Sequence, residues 1–156
     1  MSSFVYNRGL AQILQAVIDF DSSPLKVMLV TSAYAPDRSH DFVDEGGVAD
    51  AVDAEIIATN YTRGWGGAGR KLASGIMITA DDFGQRVIVV FPTLTWSTLG
   101  GTTDAVVAGA ILVKEGTSDD TTSVLCVYWD TADQLTDGTD FKLTMDAING
   151  NVQFLT

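Results

Sequence analysis

Cysteine is nearly missing from this chain of 156 residues, with Cys126 its single representative. No disulfide can form within the chain, so the fold must hold by burial alone. Cys126 sits in the apolar run Val124 to Trp129 and reads as a buried, inert thiol. Histidine is as scarce. His40 stands beside Asp41 in a polar stretch, with no serine or cysteine motif to complete a nucleophilic pair. Positive charge is short as well: 9 Lys and Arg face 20 Asp and Glu, for a net charge of −11. Such a chain repels phosphate backbones and anionic headgroups, which excludes general nucleic-acid binding and docking on an anionic membrane. No apolar run approaches the ~20 residues that cross a bilayer. The start Met1-Ser2-Ser3-Phe4 lacks the basic and apolar regions of a signal peptide. The expectation is a protein made in a reducing, cytoplasm-like setting.

What is present suffices for one domain over residues 1–156. A chain of this length buries roughly two-thirds of its unfolded surface. Residues 1–6 read as an extended arm and 7–19 as a helix. Asn7 is placed to cap that helix, and Leu10, Ile13, Leu14, Val17 and Ile18 recur on one face. Pro24 limits its length. Residues 25–156 then carry strand signals: Lys26–Thr31, Gly75–Ala80, Arg86–Phe91, Thr93–Trp96, Ala105–Lys114, Ser123–Trp129, Phe141–Met145 and Val152–Leu155. Between Gly47 and Ile57 a short helical turn followed by a strand is expected. Asn149-Gly150 reads as a hairpin turn before the last strand. The pattern predicts a mainly β protein, an antiparallel sandwich or barrel of about eight short strands with one N-terminal amphipathic helix.

Candidate chemistry is thin. The segment Tyr61 to Leu72 holds Gly64, Gly66, Gly67 and Gly69 together with Arg63, Arg70 and Lys71. It fits neither a dinucleotide fingerprint nor a phosphate-binding P-loop, and reads as a contact loop with Trp65 as its anchor. The acidic turns around Asp81-Asp82, Asp119-Asp120 and Asp133 to Asp140 lack the ligand spacing of a calcium loop and read as solvated turns. No enzyme signature is present, and no metal or cofactor is expected.

Several blocks point to a known group. They are Tyr6-Asn7-Arg8-Gly9-Leu10, the run Leu25 to Asp37 continuing into His40-Asp41-Phe42, then Glu55, Tyr61-Thr62, Gly66-Gly67, Thr95-Trp96-Ser97 and the ending Ile148 to Thr156. In this order they resemble a group of small accessory structural proteins of tailed-bacteriophage particles. The resemblance implies a virion component rather than an enzyme. Its first expectation is a capsid decoration, or cement, protein made in the bacterial cytoplasm and bound to the outer capsid surface. The major capsid protein and neighbouring copies of itself, as a dimer or trimer, are the expected partners. A tail, neck or fibre subunit, or a host-glycan-binding module, is the alternative. The gripping residues would then lie in the projecting segments: Phe4 and Tyr6 at the start, Tyr34, His40 and Phe42 in the next loop, and Arg63, Trp65, Arg70 and Lys71 in the glycine loop.

Overall fold

The computed structural model describes residues 3–47 and 50–144, and the backbone of 152–155. Among these residues the chain forms ten strands and one helix. The strands are β1 (Phe4–Val5), β2 (Leu25–Val30), β3 (Lys71–Leu72), β4 (Met77–Asp81), β5 (Arg86–Val90), β6 (Leu94–Trp96), β7 (Val106–Lys114), β8 (Val124–Leu135), β9 (Phe141–Leu143) and β10 (Val152–Leu155). The helix is α1 (Asn7–Leu14). Every pairing is antiparallel. The sheets run in the orders β1-β8-β7-β2-β3, β10-β5-β4 and β6-β9. The expected antiparallel, sandwich-like β architecture is the one observed.

The five-stranded sheet is buried on both faces, and side-chain alternation decides which residue goes where. From β2, Leu25, Val27 and Leu29 enter a main core, which Val89, Trp96 and Phe141 from the two smaller sheets and Phe91 just after β5 complete. Met28 and Val30 point the other way, into a second core beneath Tyr6, Tyr34, Val43, Ala51 and Ala54. Strand β7 divides likewise, with Ala110 and Leu112 against Ile111 and Val113. On β8 the alternation would fail without an extra residue. Leu112 pairs with Val127 and Val113 with Leu125, so Cys126 forms a bulge that keeps Leu125 and Tyr128 on the same face.

The helix is shorter than its apolar stripe predicts. It ends at Leu14 rather than near residue 19, because Ala16 adopts a left-handed conformation (φ 55°). The amides of Val17 and Ile18 then both donate to the Gln12 carbonyl, a closure that turns Ile18 into the main core. Leu14 and Val17 are left exposed. Asn7 does not cap: Tyr6 occupies the cap position and makes no side-chain cap bond. The expected arm is also corrected in its described part. Phe4 and Val5 pair with Tyr128 and Val127 of the protein's own sheet, and Tyr6 is fully buried. Residues 51–54 form the expected turn, the Ala54 amide donating to the Asp50 carbonyl, but an isolated bridge from Glu55 to Val30 stands where a strand is expected. The Asn149-Gly150 turn and Met145 lie outside the described residues.

Candidate functional site

The glycine loop is held by a buried charge cluster. Arg70 is 3% exposed and Glu55 2%. Arg70 donates from Nε and Nη2 to the two oxygens of Glu55 (3.0 and 2.7 Å), and from Nη1 and Nη2 to those of Asp120 (2.7 and 2.9 Å). Both carboxylates are thus gripped in fork geometry. Glu55 also accepts from the Tyr61 hydroxyl and the Gly64 amide, each at 2.9 Å. The Tyr61 hydroxyl in turn accepts from the Leu29 amide of β2. Glu115 bridges Arg70 (3.6 Å) to Lys26 (2.6 Å). Burial works against the Arg70 charge, but the bonds to Glu55 and Asp120 outweigh it and hold the guanidinium above its ordinary pKa. Desolvation, then the Glu55 charge, pushes Tyr61 well above its own.

This cluster corrects the reading of the loop as a uniformly basic contact surface. Arg70 is spent internally and cannot face a partner. Arg63 stays exposed and Lys71 half-exposed at the start of β3. Trp65 is 44% exposed, its indole N–H donating to the Gly116 carbonyl at 2.8 Å. It is therefore a fixed ledge rather than a swinging anchor. Two glycines are imposed by contact: a Cβ on Gly69 would lie 2.6 Å from the Tyr61 ring, and one on Gly67 would lie 2.8 Å from the carbonyls of Arg63 and Gly64. The Trp96 indole closes the loop from below by donating to the Gly69 carbonyl at 2.6 Å.

Phe4, Tyr6 and Tyr34 gather on the far face of the main sheet with His40 against Tyr34, while Phe42 packs at the margin of the main core. Tyr6 and Tyr34 share a hydrogen bond of 2.8 Å, and Tyr34 reaches His40 Nδ1 at 3.1 Å. The Phe4 ring packs on Tyr6 (5.0 Å) and Tyr128 (5.5 Å), with Arg38 over it. Phe42 lies under the Arg8 guanidinium at 4.4 Å, which also pairs with Asp41. Tyr6 and Tyr34 are buried and so correct the expectation that they touch a partner. Phe4, His40 and Phe42 are half-exposed. Burial pushes the Tyr34 hydroxyl up to about 12 and Tyr6 higher still, so the chain of hydroxyls stays protonated at neutral pH. Cys126 is fully buried, and desolvation pushes its thiol up to about 12, far from a reactive thiolate.

One exposed feature was not read from the sequence. The hairpin of β4 and β5 carries Met77 (61% exposed), Ile78 (56%) and a fully exposed Phe83 at its turn. Below it lies a groove of about 290 Å³ lined by Ile13, Leu14, Phe20, Ile78, Val87 and Val89. An uninterrupted apolar run reads as a buried strand. Phe83 within an acidic turn was the one local signal to the contrary.

No group of three or more His, Cys, Asp or Glu side chains among the described residues could hold a metal ion. No helix among them is long and apolar enough to cross a membrane. Comparison with protein families, with curated proteins and with solved structures gives no match to this chain.

Proposed function

We propose that this protein is a structural component of a tailed-bacteriophage particle, a decoration protein that binds the outside of the assembled shell and bridges neighbouring capsid subunits. One observation carries the reading. Four residues of the resembling blocks in the middle of the chain, Glu55, Tyr61, Gly67 and Trp96, pack or hydrogen-bond within or against the glycine loop. Part of what resembles the phage group is therefore the set of contacts that positions this loop. A stiff body with a fixed, partly apolar ledge suits a bridging role. Binding only to the assembled lattice stabilises that lattice by mass action, multiplied over many copies.

The grip is assigned to Trp65 and Arg63 on the ledge with the half-exposed Lys71, and half-exposed Phe4, His40 and Phe42 form a separate contact surface. The test is co-sedimentation of the purified protein with empty capsids lacking it, with bound copies counted per particle. Saturation on the order of hundreds of copies is expected, as shell symmetry requires. Paired replacement Trp65→Ala and Arg63→Glu is expected to lower occupancy at least tenfold. Saturation at about six or twelve copies would instead place the protein at a tail or neck position, and absence of binding would end the proposal.

A further inference from the structure

Strand β4 is an edge of the sheet β10-β5-β4, and among the described strands it pairs with β5 alone. Its register against β5 is unbroken from Met77–Val90 to Asp81–Arg86, with no bulge to twist the edge away. The outer edges of the five-stranded sheet, β1 and β3, are blunted by being only 2 residues long. Strand β4 has 5 residues, and Leu72 to Ala80 contains neither charge nor proline. An edge of that kind pairs with another strand unless something covers it.

We infer that a second copy of this chain covers it, the two β4 strands pairing antiparallel about a two-fold axis at Thr79 to give a continuous sheet β10-β5-β4-β4-β5-β10. The fit of the strand to itself selects a second copy, and charge sets the register. In a chain of net charge −11, two copies meet only where both are neutral. The uncharged stretches Gly9 to Ile18 and Leu72 to Ala80 come together here, around the apolar groove beneath Ile78. With the axis at Thr79, Ile78 stands opposite the partner's Ala80, large against small, on the groove side. Met77 then faces the partner's Asp81, whose charge Arg86 already compensates at 2.8 Å in each copy. The Asp81-Asp82 pairs fall at opposite ends of the joint. An axis at Asp81 would instead stack two carboxylates face to face.

Leu14, at 77% exposed, and Ile78 flank the joint on its inner side, and Phe83 reaches alongside the partner's Gly75. Together these side chains and Met77 offer on the order of 600 Å² per copy, close to the ~800 Å² each partner gives a standard interface.

This contact is read on the isolated protein, so it stands or falls apart from particle binding. Sedimentation equilibrium of the full chain at about 100 μM is expected to give twice the 16.6 kDa monomer mass. The variant Ile78→Lys, which places a charge on the joint, is expected to raise the dissociation constant at least tenfold. Because that change could also loosen the hairpin, Thr79→Cys supplies a second reading. Cys126 is buried, so mild oxidation is expected to link Thr79→Cys into disulfide dimers while the exposed control Ser118→Cys stays monomeric. A wild-type monomer or trimer at that concentration, an unchanged dimer in Ile78→Lys, or equal cross-linking of the control would overturn the inference. A monomer would leave the edge to a strand of a different protein.

Discussion

At the scale of single residues, Arg70 shows how little local sequence says about a charge. It lies among glycines, one place from Lys71, where a basic surface loop is the natural reading. Its partners Glu55 and Asp120 stand 15 and 50 positions away, and no local pattern announces them. A buried pair is not in itself a large source of stability, but removing one partner strands the others. Arg70→Met is therefore expected to lower unfolding free energy by about 3–5 kcal/mol. The triple change with Glu55→Gln and Asp120→Asn, which removes the stranded charges, is expected to recover part of that loss. Urea melts of the two variants check both points. Equal destabilisation would mean that the fork geometry, rather than charge compensation, matters.

At the scale of elements, α1 meets β8 at the bulge. A Cβ on Gly9 would lie 2.6 Å from the Leu125 carbonyl oxygen and 2.7 Å from Cys126 Cα, both backbone atoms that cannot swing aside. The Tyr6 amide donates to the Cys126 carbonyl at 3.0 Å, fixing the helix entry over the same residue. Gly9→Ala, favourable for an isolated helix, is here expected to cost about 1–3 kcal/mol through overpacking. A thermal melt reads the sign directly: a rise in Tm would show that the helix can lift off β8 without penalty. The helix pattern was legible in Leu10 and Ile13. Its early end was not, since Ala16 carries no sign of a left-handed conformation and Ile18 is drawn inward by the core.

At the scale of the whole molecule, the tyrosines report on the fold together. The chain has 4, and burial raises Tyr6, Tyr34, Tyr61 and Tyr128 above the ordinary 10.0. The native state keeps these protons where the unfolded chain releases them. Their contribution to stability is complete below pH 10 and is lost as pH rises toward the folded values, about 12 for Tyr34. An alkaline titration is expected to show tyrosinate absorbance appearing above pH 10 in one cooperative step, together with loss of the β signal in circular dichroism. An absorbance change centred at 10 with the fold intact would contradict the burial of the hydroxyl cluster.

The sequence by itself determined the class of this protein. Short uninterrupted apolar, β-branched runs bounded by glycine, proline and aspartate turns define β2, β5, β7 and β8, because that composition is a local property of a buried strand. It also determined that no disulfide holds the chain and that its surface is acidic. The tertiary structure alone decided which of these residues meet. It paired the N-terminal segment with β8, withdrew Arg70, Tyr6 and Tyr34 from the surface, and left the apolar β4 hairpin on it. The physical reason is that burial and ion pairing depend on distance in space. A strand such as Met77 to Asp81 reads the same whether a neighbour covers it or not.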